Sequence, residues 1–326
     1  MSGAKVAAAY VLFVLGILRC ASSDALGEGN SPEIEWLKTM RSAVSVLSYQ
    51  GNVSYIKDQQ VDSFRLYHAR IEGVEREHLI SMNSPLREVV RVGGNITRYA
   101  QDAQQVAVEV HPAETSLLVP LPDDPRVLDR YYQLSLRGRE YVAGFPAQVV
   151  ALEPRDGFRY SRLIWIDVET RLPLKLDVIN EEGQSVEQVV FTSLNTKDPV
   201  LPSDLDAAMK TSQPITQINH RVALPLKDLH WVLSGVPDGF QIVAYSTLKK
   251  PVSQTPVEQI LLSDGFSAVS VYVEPKDDRE ASGSRRMGAV NVAVVRFKDR
   301  LVTVMGEVPL KTVEWIAKGF GEKPQP

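Results

Sequence analysis

The longest apolar stretch of the chain is Val6–Leu18, with Lys5 ahead of it and the small or polar residues Ala21, Ser22, Ser23 and Ala25 behind. A basic start, a short apolar centre and a small-residue exit make a secretory leader, and about thirteen apolar residues are too few to span a bilayer. Residues 1–23 therefore read as a signal peptide cut somewhere between Ala21 and Ala25.

Helical spacing follows. Ser31-Pro32 opens an amphipathic helix with Glu33 and Glu35 near its positive end, and Ile34, Leu37, Met40, Val44 and Leu47 recur on one face. The period then falls to two. Short β-branched and aromatic segments near Tyr49–Lys57, Ser63–Ala69, Glu75–Met82, Arg87–Val92 and Ile96–Ala100 predict strands, with Gly93-Gly94-Asn95 as a hairpin turn. An irregular, proline-bearing stretch, His111–Asp124, precedes a short helix expected at Pro125–Leu134. Four long strands are predicted next, Glu140–Glu153, Phe158–Asp167, Leu172–Asn180 and Ser185–Leu194, and their tight links demand antiparallel pairing.

Proline becomes frequent from Asn195 to Leu226, with one short helix expected at Ser203–Lys210. A second unit follows, with strands near Leu229–Ser234, Gln241–Leu248, Val257–Ser263, Ser267–Glu274, Val290–Lys298 and Leu301–Glu307, and a closing helix Leu310–Phe320. Between them, Lys276–Arg286 reads as a charged loop. The pattern gives a half-barrel domain at 24–198, a linker at 199–221, a C-terminal α+β domain at 222–320 and a tail at 321–326. The fold class is α+β: an open antiparallel half-barrel with covering helices, plus a smaller α+β sheet domain.

Composition narrows the function. With 40 acids against 36 bases the net charge is −4, so no broad attraction to nucleic acid or anionic membrane is implied. The single cysteine, Cys20, lies in the leader behind Leu18 and Arg19, a poor context for acylation; the mature chain is expected to be unanchored, free of disulfides and periplasmic. His68, His78, His111, His220 and His230 have no metal-ligand spacing and read as surface or half-buried residues, so neither a metal nor a cofactor is expected. No nucleophile elbow, zinc helix or phosphate loop appears, and Ser263-Asp264-Gly265 reads as a turn. The chain reads as a binding protein and not an enzyme.

Between Asp58 and Leu174 there are fourteen arginines and no lysine. Arginine's planar fork suits phosphate or carboxylate, although ordinary ion pairs account for such a run equally well. A curved sheet with a helix across it encloses an apolar hollow suited to acyl chains, unless helix and loops fill it.

Particular segments carry a resemblance. Trp36-Leu37-x-x-Met40, Leu47-Ser48-Tyr49-Gln50-Gly51, Arg65-Leu66-x-His68 and Arg159-Tyr160-x-Arg162-Leu163-x-Trp165-x-Asp167 resemble the MucB/RseB family of sigma-factor regulators. So do Thr170-x-Leu172-Pro173-Leu174-Lys175, Glu187-Gln188-Val189-Val190-Phe191-Thr192, Ser263-Asp264-Gly265, Val271-x-Val273-Glu274 and Val302-Thr303-Val304-x-Gly306-Glu307-Val308-Pro309. The resemblance implies a first domain like that of the lipoprotein carriers. It also implies binding to the periplasmic segment of a membrane-spanning anti-sigma factor (MucA or RseA), which is thereby shielded from regulated proteolysis. Envelope-stress signals such as lipopolysaccharide would relieve that protection and release a sigma-E-type factor, governing alginate production in a pseudomonad.

Candidate residues follow from position. The hollow is expected to use Leu117, Leu118, Val119, Tyr131 and Tyr132 with Trp165 as a wall, and Arg87, Arg91 and Arg98 for anion contact. Core packing and surface ion pairing are the plain alternatives for these side chains. Partner contact is expected at an exposed edge of the second sheet, near Phe266, Tyr272, Arg285 and Arg286, where a flexible peptide adds a strand. A lipid or lipoprotein carrier without regulatory role is the competing reading, and a homo-oligomer is compatible with either.

Overall fold

The computed structural model describes residues 31–57, 59–83, 87–100, 105–110, 121–207, 221–249, 256–275 and 282–323. The expected signal segment, Leu117-Leu118-Val119 and most of the expected linker lie outside them.

Helix α1 (Pro32–Val46) begins as its sequence dictates: Ser31 Oγ accepts from the Ile34 amide at 3.4 Å, and Ile34, Leu37, Met40, Ala43 and Val44 are buried. Eleven antiparallel strands follow. They are β1 (Tyr49–Lys57), β2 (Gln60–Ile71), β3 (Val74–Ser81), β4 (Arg87–Val92), β5 (Asn95–Ala100), β6 (Gln105–Val110), β7 (Tyr132–Val142), β8 (Phe145–Pro154), β9 (Ser161–Asp167), β10 (Pro173–Ile179) and β11 (Ser185–Asn195). Their order is β6-β5-β4-β3-β2-β1-β11-β10-β9-β8-β7, an open sheet with β6 and β7 as its edges.

The helix fixes the curvature. It packs against both β2 and β7. Those strands stand six places apart in the order, about 29 Å in a flat sheet, whereas a helix is only about 10 Å across. The sheet must therefore curl around it. One apolar cluster records this, joining Leu37, Met40 and Val44 to Leu66, Val89 and Ile96 on one side and Tyr132, Leu152 and Ile164 on the other. Gly51 is required where β1 meets β11, because a Cβ there would stand 2.2 Å from the Ser193 carbonyl oxygen.

Three local expectations are corrected. Glu140–Glu153 is two strands, because Ala143 (φ +51°) and Gly144 (φ +85°) form a tight turn that alanine conceals in the sequence. Pro125–Leu134 is a 3-10 turn over Pro125–Arg130, after which Tyr132 enters β7. The expected Ser203–Lys210 helix is a 3-10 turn at Pro202–Leu205, and Leu205 with Val200 packs on Ala69, so the start of the linker is docked on the first sheet.

The second domain has seven strands in the order β12-β14-β15-β16-β19-β18-β17: β12 (Arg221–Ala223), β14 (Gln241–Lys249), β15 (Pro256–Ser263), β16 (Ala268–Pro275), β17 (Gly283–Met287), β18 (Val290–Phe297) and β19 (Arg300–Gly306). Helix α2 (Leu310–Lys318) buries Val313, Ile316 and Ala317 against Val271, Val302 and Val304. A two-stranded ribbon, β13 (Trp231–Leu233) with β20 (Phe320–Glu322), stacks Trp231 on Phe320 at 5.1 Å. Part of the expected Lys276–Arg286 loop is strand β17, carrying Arg285 and Arg286.

Candidate functional site

The two domains meet at a buried, charged seam. The turn between β15 and β16 is built by its own side chains: Asp264 Oδ1 accepts the amides of Phe266 (2.9 Å) and Ser267 (2.6 Å), and Ser263 Oγ donates to the Ser267 carbonyl at 2.9 Å. That turn delivers Phe266 into the apolar cluster of the first domain. There its ring meets Tyr132 edge-on at 5.9 Å, and the Arg162 guanidinium lies over it at 4.4 Å.

Beside it, Arg159 Nε donates to Asp264 Oδ2 at 2.5 Å and Nη2 to the Asp238 carbonyl at 2.6 Å. Asp156 takes its remaining arm. The Arg159 guanidinium lies 4.7 Å from both the Tyr131 and Phe240 rings, one from each domain. Arg162 reaches Ser267 Oγ at 3.3 Å and Glu307 at 3.6 Å. Further links are Asn291 Nδ2 donating to Tyr160 Oη (2.7 Å) and Thr312 Oγ1 donating to the Phe158 carbonyl (2.9 Å). Burial, with the nearby Asp264 charge, keeps the Tyr132 hydroxyl protonated far above the usual phenol range. Burial also raises Glu187 to about 8, with the Glu307 charge adding to it and Lys57 opposing it.

The curled sheet also carries a polar group on its concave face. Arg91 is 1% exposed; its Nε donates to Glu77 at 2.7 Å and its Nη2 to Glu75. His68 Nε2 stands 3.3 Å from Glu75. His68, Glu75 and Glu77 bring ligand atoms within 4.8 Å of one another. The Arg91 guanidinium already supplies the cation that two carboxylates need there, so the donor set does not fit a metal ion. His68 and His78 are buried and hydrogen-bonded, contrary to the surface expectation.

These positions revise the expected sites. Tyr131 and Tyr132 do line the first core. Trp165 does not: strand alternation places it opposite Ile164 and Ile166, in a separate cluster with Val149 and Leu174, with its Nε1 donating to Glu140 at 2.9 Å. Arg91 is consumed by Glu75 and Glu77, whereas Arg87 is exposed; the side chain of Arg98 lies outside the described set. Phe266 and Tyr272 are buried, Tyr272 on interior strand β16, so neither is on an exposed edge. Arg285 and Arg286 are on one, since β17 ends the second sheet. Beside β17 lies an open groove of about 460 Å³ lined by Gly283, Ser284, Arg285, Val292, Val294 and Thr303. Sequence reasoning missed Arg159, Arg162, Asp264 and Glu307 as seam residues, although the arginine bias and the Arg159-Tyr160-x-Arg162 motif pointed towards two of them.

The MucB/RseB N-terminal domain model matches residues 32–209 and the C-terminal domain model residues 225–320. The sigma factor AlgU regulatory protein MucB of Pseudomonas aeruginosa is 30% identical over 315 residues, 94% of this chain and 95% of that one. The sigma-E factor regulatory protein RseB of Escherichia coli K12 is 27% identical over 288 residues, 87% of this chain and 89% of that one. Among solved structures, the complex of Pseudomonas aeruginosa MucA and MucB is 29% identical, covering 90% of this chain and 100% of that one at a TM-score of 0.74. MucB in complex with MucA(peri) is likewise 29% identical, covering 89% and 99% at 0.72. Matched over both domains, in sequence and in fold, the chain belongs to the MucB/RseB family of periplasmic, non-enzymatic regulatory proteins.

Proposed function

We propose that this protein binds the periplasmic segment of a transmembrane anti-sigma factor of the MucA/RseA kind, shields it from regulated proteolysis and so restrains sigma-E-type transcription. The observation that carries this reading is the likeness to MucB solved together with MucA, which extends across nine-tenths of the chain and both domains. The edge of β17, with Arg285, Arg286 and the adjoining groove, is the surface to which an extended segment would add a strand.

Lipid, lipopolysaccharide among its sources, is the proposed release signal. Phe266 of the second domain occupies the apolar core of the first. An acyl chain entering that core competes with Phe266, at about 0.8 kcal/mol per methylene buried. Lipid and anti-sigma segment then favour different domain arrangements and weaken each other's binding reciprocally. Control of alginate production belongs to this reading where the regulated factor is of the AlgU type.

The test is protease protection of a purified anti-sigma periplasmic segment. Adding this protein should slow cleavage, and adding lipopolysaccharide should restore it. Unchanged cleavage at saturating protein would overturn the regulatory reading. Independent binding of lipid and segment would overturn the linkage.

A further inference from the structure

Trp315 is 54% exposed, on the outer side of helix α2. Thr312, Val313, Ile316 and Ala317 face inward, so helical spacing gathers Lys311, Trp315 and Lys318 on the opposite side. Both lysines are exposed, and neither has a carboxylate partner among the described residues. Glu314, the one acid of the helix, is half-buried and pairs with neither. Trp165 and Trp231 direct their indole N–H groups to Glu140 and Glu258, whereas that of Trp315 has no partner among the described residues. The first domain continues this face. Phe158 stands beside Trp315, ring centroids 6.2 Å apart, and the Lys311 ammonium lies 6.0 Å from the Phe158 ring, with its chain across Gly157. Thr312 Oγ1 donates to the Phe158 carbonyl at 2.9 Å, so the two rings share one surface while the domains are docked. The nearest acid of that loop, Asp156, is already taken by Arg159.

We infer that this composite face, Lys311, Trp315 and Lys318 with Phe158 beside them, rests on the surface of a membrane containing anionic phospholipid. The interfacial region supplies what each part of the face lacks. Phosphate and ester oxygens answer the two ammonium groups and the indole N–H, and the acyl boundary covers the ring. Carboxylates of an acidic polypeptide would answer the lysines but give the ring no apolar cover. The chain's net charge is −4, so attraction is confined to this face and orients the molecule. Binding is weak by itself, since each lysine at an anionic surface is worth about fivefold in partitioning. With a membrane-tethered partner, even a weak contact counts, because the tether keeps the local concentration high. That consequence rests on the proposed function; the face itself does not.

The experiment is co-flotation of the full chain with vesicles of equal parts phosphatidylethanolamine and phosphatidylglycerol, set against phosphatidylcholine vesicles, at low and high salt. Binding is expected to the anionic vesicles alone and should fade with salt. Lys318→Gln should weaken it about fivefold while Lys318→Arg stays close to wild type. Trp315→Ala should weaken it further, and Lys197→Gln, at an exposed lysine of the first domain, should change nothing. Because Lys318 is exposed, its variants read the face even if Trp315→Ala loosens the seam. Brominated phosphatidylglycerol should quench part of the wild-type fluorescence, and Trp315→Phe should lose that quenching. No binding to anionic vesicles at low salt overturns the proposal, as does binding that Lys318→Gln and Trp315→Ala leave undiminished. Capture of polyglutamate in place of vesicles, with the same residue dependence, assigns the face to a polypeptide and overturns it equally. Uptake of a fluorescent fatty acid should be the same in every variant; a parallel loss would place the effect in the first domain's core and overturn the face. No anti-sigma segment is used, so failure here is separable from failure of the regulatory reading.

Discussion

Arg159 and Asp264 form a buried ion pair between the two domains, Nε to Oδ2 at 2.5 Å, with both side chains out of reach of water. Removing one member leaves an uncompensated buried charge, so Arg159→Met or Asp264→Asn should cost about 3–5 kcal/mol in denaturant unfolding. The double substitution should cost less than the sum of the two. Additive losses would mean that the pair does not act as a unit.

Phe266→Ala empties a place in the first domain's core that the second domain fills. We expect a loss of about 3–5 kcal/mol, together with tighter binding of a fluorescent fatty-acid probe because the competing ring is gone. Unchanged probe affinity would separate Phe266 from any lipid-binding role.

Arg91 and Arg87 lie on the same strand and should behave oppositely. Arg91→Met strands Glu75 and Glu77 without their guanidinium and should destabilise by about 3–5 kcal/mol. Arg87→Met, at an exposed position, should stay within about 0.5 kcal/mol. If an anionic lipid headgroup depends on this strand, only Arg87→Met should weaken it without unfolding the domain.

Glu75 gives the first domain an acid limit. Burial alone would raise its pKa, but the His68 hydrogen bond and the Arg91 charge outweigh it and hold the group below its ordinary 4.5. A depressed folded value means stabilisation that is present above the unfolded pKa and lost as pH falls through the folded one. Thermal unfolding followed from neutral pH down into the acid range should therefore show a falling limb that Glu75→Gln flattens.

Much of the fold was legible in the sequence because most of its strands repeat at a period of two and end at glycine-bearing turns. Gly93-Gly94 marks the β4–β5 hairpin and Asp264-Gly265 the β15–β16 turn. The chain between Tyr141 and Phe145 was misread because Ala143 adopts a left-handed turn that its identity does not advertise. The candidate site was less legible. Trp165 was placed on the wrong face, since an apolar run buried on both sides loses the alternation that would orient it.

The sequence by itself determined the two sheet domains and the family. These are local or collinear properties: a period, a turn residue, a string of motifs in order. Only the tertiary structure decided which arginines are drawn into buried ion pairs, which aromatic residues face the first core and what joins the domains. Arg159 and Asp264 are separated by 105 positions in the chain, and whether a charge meets its counter-charge or solvent depends on how the sheet curls around α1. That is set by packing across the whole domain and by no residue's neighbours in sequence.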